Sequence, residues 1–316
     1  MKKIITTSHF AFLAFATVIP LMGCANTGAI IKMCVVDEAG KPIDGVRSDI
    51  YDMFDMDSKP GLTDSNGFYS SHLQNLNELS GHFEKFGYYK TSGVFWRASA
   101  RERVPPVGTN FTVVLKRIIE PLSLKHKEIN LTLPRMDESV GFDLEMGDWV
   151  FPDGKGQVTD VFLTSNGYYT SADEYSFHVV AEFPNKHDGI QSFHIHQKDA
   201  KEFLRSDLLA PSSAPESGYT NTFERFTKLI PPDKRGASSY DGLCRWIYRI
   251  RTVVDENDNI VSANYGWMTK DMIFAPNFGR GKISFAYYYN PGPHSRSLEP
   301  KEIADRQARE LPKEYK

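Results

Sequence analysis

The chain has 316 residues, with 37 Lys and Arg against 40 Asp and Glu, for a formal net charge of −3. Its 41% apolar and 24% charged content is that of an ordinary globular protein, and the near-neutral balance lacks the basic footprint that non-specific nucleic-acid binding needs. At roughly 150 residues per domain the length implies two domains, and nothing after the N-terminal region reaches the ~18 apolar residues of a membrane-spanning helix.

The chain begins MKKIITTSHFAFLAFATVIPLMGC. Lys2 and Lys3 form a short basic region, and an apolar run from Phe10 to Met22 follows, too short for a stop-transfer helix and of the kind that directs secretion. The run ends in Leu21-Met22-Gly23-Cys24. That string resembles the lipobox of bacterial lipoproteins, with Met22 larger than the usual occupant; the alternative is a secretory peptide that ends near a cysteine by accident. The resemblance implies a signal peptide over residues 1–23, a lipidated Cys24 and a short tether over 24–28. It also implies a lipid-anchored protein of the cell envelope, joined to the membrane through its N-terminus. Acyl chains contribute ~0.8 kcal/mol per buried CH₂, so several hold a protein essentially permanently. Ala25 follows the cysteine where an aspartate would favour inner-membrane retention in Gram-negative lipoproteins, so the resemblance permits the outer membrane. Loss of residues 1–23 removes two lysines and no acids and leaves a net charge of −5. Cys34 and Cys244 remain. They either form one bridge between the two halves, which requires Cα atoms within ~7 Å, or act as small hydrophobes in apolar strands.

Residues 29–118 read as a first domain. Ile30 to Val36 is β-branched enough for a strand, Asp37 to Pro42 supplies turn chemistry, and Ile43 to Ile50 returns. Asp64-Ser65-Asn66-Gly67 makes a tight turn, and Phe86 to Tyr89 and Phe111 to Leu115 complete a series of short strands. The order Val-x-Asp-x-x-Gly-x-Pro-x-x-Gly-Val, Thr-Asp-x-x-Gly-x-Tyr, Gly-Tyr-Tyr resembles the carboxypeptidase regulatory-like (transthyretin-like) β-sandwich. Asp37, Gly40, Pro42, Gly45, Thr63, Asp64, Gly67 and Tyr69 stand in the motif positions. The resemblance implies a spacer or assembly element without catalytic residues, in which Asp64 and Asn66 shape a turn.

Residues 119–298 read as a second, antiparallel β-rich domain, followed by a charged tail over 299–316 that is a short solvated helix or loose. One helix is expected at 200–209, where Asp199 caps and Pro211 stops it. Residues 210–240, rich in Pro, Ser and Gly, read as a long loop. Cys244 to Val254 alternates, with Cys244, Trp246, Tyr248, Ile250 and Val254 on one side and Arg245, Arg249 and Arg251 on the other; Glu256 to Asn259 turns the chain and Ile260 to Trp267 returns. Ile283, Phe285, Tyr287 and Tyr289 mark a last strand. The overall expectation is a mainly β protein with one short helix.

Three constellations carry chemistry. If Glu174–Phe183 and Ile190–His196 pair as a hairpin, its wet face brings His178 beside His194 and His196, three imidazoles that can meet a tetrahedral zinc with water in the fourth position. This resembles carbonic anhydrases in that local sense only; the plain alternative is three solvated histidines. Arg245, Arg249 and Arg251 form a row able to fork onto carboxylate or sulfate, or to pair with acids such as Asp143, Glu145 and Asp148. Among the aromatic residues, most of which fill cores, Tyr288 is out of phase and expected to be exposed as a stacking surface.

The sequence lacks a phosphate loop, Gly-x-Ser-x-Gly, His-Glu-x-x-His and a dinucleotide fingerprint. The expectation is an envelope lipoprotein without enzymatic activity or cofactor, in which the second domain binds a glycan or a partner protein. The rivals are a hydrolase that uses zinc or paired carboxylates, and a structural subunit of an envelope complex.

Overall fold

A computed structural model describes residues 29–53, 59–74, 76–98, 110–195, 204–231, 235–277 and 280–312. The protein is mainly β, and its described residues form four sheets and one short helix. Cys24 and the whole leader lie outside the described residues.

The N-terminal unit pairs two sheets. In one, β1 (Ala29–Asp37) lies between β4 (Phe68–Leu73), antiparallel, and β7 (Asn110–Leu115), parallel. The other runs in the order β14 (Arg205–Ser206), β6 (Thr91–Arg97), β5 (Glu78–Glu84), β2 (Arg47–Asp52), β3 (Gly61–Leu62). Alternation in β1 sends Ile31, Met33 and Val35 inward to meet Ile50, Leu79, Phe83, Val113 and Leu115. Each fully buried side chain of this kind contributes about 1.5–3 kcal/mol relative to exposure. The turns are made by the polar residues the spacing singles out. Asp64 accepts the backbone N–H groups of Asn66 and Phe68, both at 2.9 Å. Gly67 sits at φ 76°, where a Cβ would stand 2.5 Å from the Val35 carbonyl oxygen.

Two larger sheets face each other in the C-terminal unit. The six-stranded one runs β10 (Asp148–Trp149), β9 (Ser139–Asp143), β11 (Val161–Ser171), β12 (Glu174–Glu182), β15 (Thr222–Ile230), β16 (Arg235–Ser238). The five-stranded one runs β13 (Gly189–His194), β17 (Cys244–Val254), β18 (Ile260–Asn277), β19 (Arg280–Tyr289), β8 (Lys125–Thr132). Phe142, Leu163, Val179, Ala181 and Phe223 of the first pack on Tyr248, Ile250, Ile283, Phe285 and Tyr287 of the second.

The five-stranded sheet is buried on its other face as well. Ile247, Tyr265, Trp267 and Tyr288 are covered by Leu208, Ala210, Ala214, Leu298 and the helix α1 (Lys301–Glu310), and Tyr89 of the N-terminal unit joins the same cluster. Glu299, fully buried, accepts the Tyr89 hydroxyl at 3.1 Å and the backbone N–H of Ile119 at 3.0 Å. Lys116 donates to the carbonyls of Leu208, Leu209 and Ala210 at 3.1, 3.1 and 2.8 Å.

Three sequence expectations give way here. The described part of 200–209 is not helical: β14 pairs with β6, Leu204 enters the N-terminal core and Leu208 the outer cluster, because this segment spans both units and its backbone bonds to neighbours rather than to itself. The expected loop at 210–240 contains β15, an interior strand of the six-stranded sheet, and β16. The tail is docked, with Ile303, Ala304 and Gln307 buried along one face of α1; a ten-residue helix is marginal in water and gains its stability from that contact. Of the two alternatives left open for Cys34 and Cys244, the structure shows two free thiols, one in each unit, with no bridge between the halves.

Candidate functional site

The histidine expectation fails on strand pairing. β12 and β13 belong to different sheets, because residues 183–188 cross between them instead of forming a hairpin. Asp188 fixes the crossing: its buried carboxylate accepts the backbone N–H groups of Arg251 and Thr252 at 2.9 and 3.0 Å. His178 therefore stands on the outer face of the six-stranded sheet beside Glu224, at 3.2 Å, while His194 lies 3.6 Å from the Cys244 sulfur on the other sheet. His196 lies outside the described residues, among which no group of three His, Cys, Asp or Glu side chains is placed to hold a metal ion. Burial and the Asp241 carboxylate push the Cys244 thiol up to about 11, which keeps it protonated and a weak nucleophile at neutral pH.

The arginine row is also divided. Arg245 and Arg249 do share the outer side of β17. Arg249 is buried, stacked 4.4 Å from the Tyr219 ring centroid and bonded to the carbonyls of His187 and Glu216 at 2.7 and 2.9 Å. Arg245 is spent on the carbonyls of Thr269, Gly242 and Cys244. At Arg251 the strand bulges, with φ 55°, and the side chain turns across to the other sheet. There it bonds Asp143 at 3.0 Å, Glu145 at 2.6 Å and Asp160 at 2.8 Å.

These acids do not form a hydrolytic pair. Asp143 is buried, which raises its pKa, yet backbone donors from Met146, Gln157 and Val158 together with Arg251 hold it below the usual carboxylate range. Glu145 is held down by Lys125 and Arg251. Burial pushes Asp160 up, but its oxygens are taken by Arg251 and the Leu144 N–H. A general acid needs a raised carboxyl with a proton free to give; here the raised one is enclosed in structural bonds. Tyr288, expected on the surface, is buried against Trp267 and His126 with its hydroxyl on Glu302, because α1 covers the sheet face that its phase selects.

The exposed chemistry lies on the outer face of the six-stranded sheet. In β12 the inward residues are Phe177, Val179 and Ala181, so Ser176, His178 and Val180 face out. The register places Asn166 of β11 and Phe226 of β15 on either side of His178, and Tyr168 opposite Ser176. Tyr168 is 43% and Phe226 41% exposed, high values for large aromatic side chains in the interior strands of a sheet. With neighbouring strands ~4.8 Å apart and ~3.4 Å per residue, their Cα atoms stand about 12 Å apart. Between and beside them lie Asn166, His178, Glu224 and Lys228, donors and acceptors of both charges. The same alternation that fills the core lays out this face, but only strand order brings its residues together.

No protein-family model matches the chain, and no curated protein matches it. Among solved structures it is similar, at 9% identity over 83% of this chain and 95% of the other, to a candidate membrane-associated protein of unknown function from Bacteroides fragilis NCTC 9343. The TM-score of 0.21 is too low to support an argument about either fold or activity. No helix among the described residues is long and apolar enough to cross a membrane.

Proposed function

We propose that this chain is a lipid-anchored envelope protein that binds a glycan strand across the outer face of its six-stranded sheet, without chemistry of its own. The observation that supports this reading is the pair of exposed aromatic rings, Tyr168 and Phe226, on one sheet face with Asn166, His178, Glu224 and Lys228 among them. Aromatic rings offer apolar faces for the C–H faces of sugar rings, and short polar side chains fix orientation through hydroxyl groups. The mixed charge favours a mainly uncharged chain. Anchoring rests on the N-terminal segment ending in Cys24; the N-terminal sandwich and its contacts through Glu299 and Lys116 would carry the binding face as one body with the anchor-proximal unit.

The test uses the chain from residue 25 onward against a panel of envelope polysaccharides. Binding of a neutral polysaccharide that falls about tenfold or more in a Tyr168→Ala/Phe226→Ala double variant, the loss of about 1.4 kcal/mol or more of stacking, supports the reading. Unchanged binding in that variant refutes it. Labelling of wild-type cells with a radioactive fatty acid, with Cys24→Ser as the control, tests the anchor separately.

A further inference from the structure

A cleft on the C-terminal unit lies elsewhere, between the first residues of β18 and the 291–297 turn. Its volume is about 360 Å³, within the range of sites that enclose small ligands. Asn259, Ile260 and Val261 form one wall, Pro293, His294 and Arg296 the other, and buried Tyr265 the floor.

Two features set this cleft apart from an accidental depression. The first is that its wall is built in advance. Asn290, 1% exposed, accepts the Gly292 N–H at 2.8 Å and donates to the carbonyls of Ser295 and Ser297 at 3.1 and 2.9 Å. Ala263 N–H bonds the Pro293 carbonyl at 2.9 Å, and Ala214 N–H bonds that of Arg296 at 2.7 Å. The backbone that presents His294 and Arg296 is thereby held from three sides, which lowers the ordering cost of binding. The second is what Arg296 touches. Its Nη1 donates to Glu216 Oε1 at 2.6 Å, and the Glu216 side chain is 82% exposed at the rim. The Glu216 backbone is anchored through its carbonyl to Arg249 at 2.9 Å, so only the carboxylate is free to swing away. An exposed pair of this kind is worth little, and a guanidinium takes a second carboxylate in a bidentate fork more strongly than it holds a single oxygen.

We infer that this cleft is a second ligand site, for a polyhydroxylated carboxylate such as a uronic acid, with Arg296 as its anion clamp and Glu216 as a tethered competitor in the ligand's place. Pro293, Ile260 and Val261 offer apolar surface to a sugar ring, and Asn259 and His294 offer hydrogen bonds to its hydroxyl groups. The site is separate from the aromatic face of the six-stranded sheet and does not depend on it.

Glucuronate, with glucose as the neutral control, is titrated into the chain from residue 25 onward and followed by calorimetry. Glucuronate should bind while glucose binds at least about tenfold more weakly, and Arg296→Gln should lower glucuronate affinity about tenfold or more, the loss of one charge-assisted contact. Arg296→Lys, which keeps the charge without the fork, should fall between them, and Glu216→Gln should tighten binding about threefold by removing the competitor. The Tyr168→Ala/Phe226→Ala double variant should bind glucuronate as the wild type does, which separates failure of this site from failure of the glycan face. Equal binding of glucose and glucuronate, indifference to Arg296→Gln, or absence of glucuronate binding in both wild type and Glu216→Gln would overturn the inference.

Discussion

Arg251 grips Asp160 with two parallel hydrogen bonds, Nε to Oδ1 at 2.8 Å and Nη2 to Oδ2 at 3.0 Å, across the seam between the two sheets of the C-terminal unit. The same guanidinium reaches Asp143 and Glu145, so one cation from the bulge of β17 neutralises two buried carboxylates and one at the edge. Asp143 in turn accepts backbone N–H groups from Glu145, Met146, Gln157 and Val158. The arginine thus ties the 143–160 connection to the opposite sheet.

Replacing Arg251 by Met should destabilise the protein by about 3 kcal/mol or more, since it strands Asp143 and Asp160 without their counter-charge. Urea denaturation measures this. A loss below about 1 kcal/mol would show that solvent reaches the seam and that the cluster is ordinary surface pairing.

Lys116 gives a pH signature. Burial pulls its ammonium down from the usual 10.5 to about 8. Between those values the unfolded chain holds more protons than the native one, so this group makes stability rise with pH across the window and contributes no further change above it. The three carbonyl contacts favour the charged form and temper the gain. The unfolding free energy of wild type should therefore rise relative to Lys116→Met by about 1 kcal/mol between pH 8 and 9.5. Parallel pH profiles for the two proteins would contradict a buried ammonium at this position.

The docked tail should be essential to the outer cluster. Ile303 is 8% exposed, and α1 covers the sheet face that carries Trp267 and Tyr288. Ile303→Asp buries an unpaired charge there and should cost about 2–4 kcal/mol. It should also shift tryptophan emission to longer wavelength as Trp267 meets water. An unchanged emission spectrum and melting temperature would mean that the helix is an ornament on an independently closed sheet.

Strands were legible from the chain wherever an apolar face alternated with a polar one, as in β1, β17 and β19, and the Asp64–Gly67 turn was legible from side chains that bond their own backbone. The candidate surfaces were not. Tyr288 has the phase of an exposed residue, and only the distant helix at 301–310 makes it a core residue. Arg251 has the phase of Arg249, and only a bulge held by Asp188 sends it to the other side. His178 and His194 look like neighbours until the crossing at 183–188 assigns them to different sheets.

Local alternation and turn chemistry depend on a few adjacent residues, so the β character of this protein was determined by its sequence read in short windows. Which strands become neighbours depends on contacts made far along the chain: β15 beside β12, or the turn after β19 against the start of β18. Those choices are made by the joint burial of both sheet faces, a property of the whole folded chain. They alone placed Tyr168 near Phe226 and Arg296 beside Glu216.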